Sequence, residues 1–351
     1  MESAATPARA SHRLPALDGL RAVAVFEVMA GHAGLWARAD LGVTLFFVLS
    51  GFLITRLLLA EYARSETINV WRFVGRRAGR IFPAYYAFLA VSFLADRLHG
   101  SPWPKDLAVA GVTYTMNYYN AIHGHPATTI AHAWSLAVEE QFYLLWPLTF
   151  LFLAHRRRLV EGMIVVTGAV LLWRTVALVT LHATSSYLYN AFEARCDALA
   201  IGCLLAACTV RASRGFTAWQ TRLTAKAWYP FVTVVVLTAT DLLLPGWYRY
   251  TVGFTVDALL CALLLVQCMA SSTSPAWSWL NHPVFVFLGT ISYPMYLYHE
   301  WGASAGHHAL PAAPFVAGTL ATVVLASGSY FVIEKPFLAL RSRLLPAPTP
   351  P

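Results

Sequence analysis

Two adjacent carboxylates, Glu139 and Glu140, sit in an otherwise apolar run at residues 130–147, IAHAWSLAVEEQFYLLWP. At 3.6 residues per turn a helix brings His132, Ser135, Glu139 and Tyr143 near one face, because residues three and four apart are neighbours. A carboxylate at bilayer depth costs roughly 2.5–3.5 kcal/mol on insertion scales, so it is kept with a partner or for a purpose. The pair reads either as a polar seam between helices or as part of a proton-handling site. His32 lies about 14 residues into an apolar stretch that begins near Asp18, roughly 20 Å along a helix. An imidazole exchanges a proton near neutral pH, which suits a general base, and equally suits a hydrogen bond between helices or a place at the outer interface.

Arg77 and Arg80, three residues apart, share a helix face and can grip phosphates bidentately. The same pair also serves as the basic signal that orients a membrane protein. Arg195 and Asp197 fall inside an apolar run; two apart, they point to different faces and reach different partners, as structural or cavity-lining groups. Glu27, Asp241, Asp257, His299 and Glu300 are further candidates for interhelical hydrogen bonds, and His299-Glu300 falls near the end of its span. Cys196, Cys203, Cys208, Cys261 and Cys268 all lie in apolar runs without metal-ligand spacing, so they read as small buried hydrophobes and no metal site is expected.

The elements that must position these groups follow from composition. The 351 residues are 58% hydrophobic and only 12% charged, against about 25% charged in soluble domains, which implies an all-α polytopic membrane protein. The net charge of +8 lies in loop arginines, and no aromatic-basic nucleic-acid module is visible. Ten transmembrane helices around a central cavity are expected: 18–35, 41–61, a third ending near 98, the run from 130, then 160–181, 191–210, 228–244, 251–270, 283–301 and 312–333. Ser50-Gly51 marks a close helix–helix approach. Arg77–Arg80 is expected to open the third helix, with Pro83 in about its first turn.

The basic connection from Arg64 to Arg80 and the cluster Arg156-Arg157-Arg158 must share one side, so an even number of crossings separates them. The short apolar stretch 108–119 is therefore expected to be re-entrant or interfacial. Both termini then face the cytoplasm of a multi-pass plasma-membrane protein. Arg9, His12 and Arg13 with Ala37-Arg38-Ala39 mimic a signal peptide, but the later spans favour an uncleaved anchor. The expected organisation is a tail at 1–16, a membrane domain at 17–337 and a disordered tail at 338–351.

Seven stretches in order, from LPALDGLRAVAVFEVMAGHAG through GVTLFFVLSGFLIT, RRAGRIFPAYY, HAWSLAVEEQFYLLWP, ARCDALAIGCLLA and ISYPMYLYHEW to IEKPF, resemble the membrane-bound acyltransferase-3 family. The resemblance covers about residues 14–337 and implies transfer of an acyl group, commonly acetyl, from acyl-coenzyme A to a hydroxyl of a carbohydrate or glycoside. It implies His32 as the essential histidine, supported by Glu139 or Glu140, and Arg77 and Arg80 as the donor-binding pair. It also implies that Trp134, Ser135 and Tyr143 line the cavity, to which Ser50, Arg195, Asp197 and His299 are added as candidates. No appended esterase-like domain is present in the sequence, so a relay through one within this chain is not expected. The alternative is a transporter or flippase of a sugar-lipid or small metabolite, which would favour two related halves; no internal repeat is visible.

Overall fold

The protein is described by a computed structural model over residues 14–35 and 38–344. No strand occurs among the described residues. α1 (Pro15–His32) places proline at its start, where a missing N–H costs little, and Asp18 in its first turn beside the positive end of the helix dipole. α2 (Ala39–Ser65) follows, and α3 (Val70–Leu98) is capped by Asn69, whose side chain accepts from the Arg72 N–H at 2.8 Å. α4 (Lys105–Val112) and α5 (Met116–His123) are short; a 3-10 turn (Ala131–Ala133) then leads into α6 (Trp134–His155). Next come α7 (Leu159–Val179), α8 (Ser185–Asn190), α9 (Phe192–Arg211), α10 (Arg214–Leu223) and α11 (Tyr229–Leu243). α12 (Gly246–Tyr248) runs through a π turn (Arg249–Gly253) into α13 (Phe254–Ser271). α14 (Pro283–Thr290), α15 (Ser292–Ala309), α16 (Pro314–Ser329), a second π turn (Tyr330–Glu334) and α17 (Lys335–Leu344) complete the chain.

All ten expected spans are helical, and the protein is a multi-pass membrane protein. Six helices are long and apolar enough to cross a bilayer, or seven if Ser185–Arg211, bent by 112° from α10, is counted. The others fall short for identifiable reasons. α1 carries Asp18, Arg21 and Glu27, α11 has 15 residues, and the 283–301 segment breaks at Ile291 into two helices. α4 and α5 are eight residues each, about 12 Å long, so neither crosses a ~30 Å hydrocarbon core. Tyr114, in the left-handed conformation between them, stacks on Tyr85 of α3 at 4.2 Å, and Asn117 bonds Gln141 of α6. This is the shape a re-entrant or interfacial segment requires.

Three boundaries differ from expectation. α3 begins at Val70, so Arg77 and Arg80 lie two to three turns inside it and Pro83 sits mid-helix; the Asn69 cap sets the earlier start. The break at Ile291 places His299 in the middle of α15 instead of at a span end. Residues 338–344, expected to be disordered, continue α17, where Arg341 donates to the Arg76 carbonyl at 3.1 Å. Arg9, His12, Arg13, Ala37, the proline-rich residues 345–351 and the Asp241 side chain fall outside the described residues.

Close packing holds the bundle. A Cβ on Gly51 would overlap the Leu199 carbonyl oxygen, and one on Gly202 the Val48 carbonyl oxygen, so α2 and α9 cross backbone to backbone. Gly302 and Gly306, four apart on α15, do the same against Gly318 and Thr322 of α16. A buried ionic cluster ties α7, α9 and α13 together. Arg174 donates to Asp197 at 2.9 Å and to the Ala194 and Thr251 carbonyls, and Thr255 donates to Asp197 at 2.6 Å. Neither Arg174 nor Asp197 is left without compensation, as burial of charge demands.

Candidate active site

α1 carries polar groups at two levels, Arg21 and His32, eleven residues and about 16 Å apart along its axis. Each level opens onto its own chamber. Arg21 lines the first, together with Arg77 and Arg80 from α3, Ser50 from α2, Ser135, Glu139, Glu140 and Tyr143 from α6, and Tyr293 and Tyr296 from α15. It holds about 770 Å³ of space, mouth included. The 77/80 spacing turns both guanidinium groups inward, and Arg77 also lies 5.2 Å over the Tyr143 ring. Ser50 and Tyr143 are hydrogen-bonded to each other. Three arginines against two carboxylates leave room for an anion, whose oxygens guanidinium forks match well.

His32, the last residue of α1, lines the second chamber with His299, Met29, Phe315 and Thr319. Its Nδ1–H donates to the Val28 carbonyl one turn back at 2.9 Å, leaving Nε2 with a free lone pair. That nitrogen lies 4.0 Å from Glu300 Oε1. His132 Nδ1 lies 3.4 Å from the same oxygen, while His132 Nε2 donates to the Leu297 carbonyl at 3.1 Å. His299 packs edge-on to His32 with ring centroids 4.7 Å apart and donates through Nδ1 to the Tyr296 carbonyl at 2.7 Å. Three imidazoles thus surround one carboxylate.

Hydrogen bonds tie the wall of the first chamber to the histidine cluster. Tyr296 and Ser135 are hydrogen-bonded at 2.6 Å, and the Tyr296 hydroxyl also reaches the His132 carbonyl at 2.9 Å. Tyr296 lines the arginine chamber, while its own carbonyl holds His299 on the histidine side. The hydrogen-bonded Ser135–Tyr296 pair thus stands as a gate between the wall of the arginine chamber and the histidine cluster.

The structure gathers Ser50, Arg77, Arg80, Ser135, Glu139, Glu140 and Tyr143 as one set, and His32 and His299 as another. The expected pairing of His32 with Glu139 or Glu140 is replaced by Glu300, because the glutamate pair sits across the gate with the arginines. Trp134 lies outside both chambers: it is buried against Tyr189, 4.9 Å away, and under Arg195. Arg195 stacks on Phe254 at 3.9 Å and reaches Thr44, whereas Asp197 bonds Arg174 and Thr255, so the two serve different partners in the scaffold. Arg21 was legible only as a basic residue near a helix end, and His132 only as a member of the α6 face. Nothing in the spacing links either to its chamber, since the link is made by α15 and α3.

A family model described as an acyltransferase domain, acyltransferase-3, matches residues 14–333. The chain belongs to this acyltransferase family. Among curated proteins it is similar to a putative peptidoglycan O-acetyltransferase, YrhL, of Bacillus subtilis, 30% identical over 93% of this chain and 55% of that protein. It is also similar to the O-acetyltransferase OatA of Staphylococcus aureus, 36% identical over 55% of this chain and 34% of that one. The peptidoglycan O-acetyltransferase OatA of Listeria monocytogenes is 34% identical over 55% of this chain and 33% of its own length. The chain thus spans between a third and about half the length of these relatives. No solved structure matches.

Proposed function

We propose that this family member is a plasma-membrane O-acyltransferase that moves an acyl group, acetyl by the relatives' names, from acyl-coenzyme A to a hydroxyl of a cell-wall glycan. What carries this reading is the pairing of Arg21, Arg77 and Arg80 in one chamber with His32 in the next, where Glu300 lies 4.0 Å from its Nε2; both chambers hang on α1. The donor's phosphates bind the three guanidinium groups, which face the cytoplasm by the positive-inside bias. Its thioester arm passes the Ser135–Tyr296 gate, whose hydrogen bond opens to admit it.

His32 Nε2 takes the proton of the acceptor hydroxyl as its oxygen attacks the thioester carbonyl. The carbon–sulfur bond breaks, the coenzyme leaves as thiolate, and the imidazolium returns its proton to that sulfur. Glu300 stabilises the imidazolium between these two transfers, the part an acid plays beside a catalytic histidine elsewhere. Its 4.0 Å separation in the absence of substrate is the looser geometry expected before the reactants are seated.

The test is incubation of purified protein with acetyl-coenzyme A and a muropeptide acceptor, with the product read by mass spectrometry. An acetylated muropeptide that appears only with the donor supports the proposal. Donor consumption without acetylated glycan would reject the acceptor, and no donor consumption would reject the reaction.

A further inference from the structure

Each of the three imidazoles around Glu300 has one ring nitrogen tied to a backbone carbonyl. His32 uses Val28, His299 uses Tyr296 and His132 uses Leu297, at 2.9, 2.7 and 3.1 Å. This fixes every tautomer and leaves one lone pair per ring. It is the arrangement that metal-ligating histidines almost always show, with the second nitrogen anchored outside the metal shell. Two independent features show that the lone pairs have work beyond packing. His299 is 2% exposed, yet its Nε2 has no hydrogen-bond partner, which is costly for a buried polar atom. One ring nitrogen each of His32 and His299 and a Glu300 oxygen lie within 4.8 Å of one another.

Resting on the reading of His32 as the base, we propose that His32, His299 and Glu300 bind a divalent transition-metal ion of the zinc class, which silences transfer by occupying the base's lone pair. His132 Nδ1, 3.4 Å from the same carboxylate, is placed to complete a fourfold set. Tetrahedral zinc with nitrogen and oxygen ligands at about 2.0–2.2 Å sets its ligand atoms about 3.3 Å apart. The cluster must therefore tighten. The side chains that move are His32 and Glu300, 36% and 30% exposed, while the buried imidazoles of His132 and His299 stay. Imidazole and carboxylate favour zinc and its neighbours over magnesium or calcium, which prefer oxygen alone.

The experiment uses the full chain purified in detergent, stripped with EDTA and exchanged into metal-free buffer. Cobalt(II) is titrated in and the visible absorption of a tetrahedral ion is followed, with displacement by zinc giving the stoichiometry. One ion per chain, with the band lost in both His299→Ala and Glu300→Gln, is the expected result. Absence of a band in the wild type overturns the site, as does a band that survives in correctly folded variants. If the variants fail to elute as the wild type does, histidine protection from diethylpyrocarbonate by zinc in the wild type decides, and unprotected histidines overturn the site. In parallel, zinc at the measured stoichiometry should abolish acetyl-coenzyme A consumption and EDTA should restore it. Activity that is indifferent to zinc or requires it contradicts the silencing. A stripped protein that binds cobalt but never consumes donor leaves the metal site standing and instead rejects the acyltransfer reading.

Discussion

His32 owes its fitness for proton transfer to its place at the last turn of α1. The Val28 carbonyl, already at the helix end, holds Nδ1–H and turns Nε2 toward Glu300. Replacing His32 by alanine should lower turnover by about 10²–10⁴-fold, the usual worth of a positioned base. Glu300→Gln removes the charge but keeps the shape; it should cost roughly 10–100-fold, the range of a hydrogen bond to a charged group. Steady-state consumption of acyl-coenzyme A reads both, and a Glu300→Gln enzyme as fast as the wild type removes the carboxylate from the account. Glu139→Gln, across the gate with the arginines, should act on donor affinity more than on turnover, as the ratio of KM to kcat will report. At this scale the sequence was informative about residue types and less so about partners. His32, Arg77, Arg80 and the glutamate pair stood out because charge in an apolar run is conspicuous. Their partners did not, because Glu300 is 268 positions from His32 in the chain and only the packing of α1 on α15 joins them.

Elements set these positions through contacts that tolerate little change. The α2–α9 crossing depends on Gly51 and Gly202, each against the other helix's backbone, so Gly202→Val should destabilise by about 1–3 kcal/mol through overpacking. Gly168 in α7 has nothing within 4 Å of where its Cβ would be, so Gly168→Ala should be neutral or stabilising by about 0.5–1 kcal/mol. Thermal unfolding in detergent distinguishes them; equal effects would mean the crossing does not govern stability. The Arg174–Asp197 pair gives a second case. Arg174→Met alone strands a buried carboxylate and should cost about 3–5 kcal/mol, while Arg174→Met with Asp197→Leu recovers most of it. Periodicity revealed all ten helices but misjudged their ends. In the sequence alone Arg77 and Arg80 read as the opening of the third helix, whereas the Asn69 cap begins α3 two turns earlier. The break at Ile291 is flanked by Gly289 and Pro294, but the apolar run around them reads as one continuous span.

For the whole molecule, the two chambers on α1 imply a division of labour across the bilayer. The proposed orientation puts the arginine chamber on the cytoplasmic side with the basic connections, so reporters fused after Arg157 should be active only there, and periplasmic or extracellular activity would invert the scheme. In the proposed reaction the gate of Ser135 and Tyr296 stands between the donor's charged end and the histidine cluster. In the proposed reaction binding and chemistry occupy separate chambers, and one comparison tests this: donor affinity and thioester loss measured side by side in His32→Ala and Arg77→Gln/Arg80→Gln. The first should bind acyl-coenzyme A like the wild type yet lose its thioester at least about 100-fold more slowly, and the second should lose affinity by at least about 10-fold. A His32→Ala protein that consumes donor at the wild-type rate, or an arginine double variant that binds it unchanged, would contradict this division.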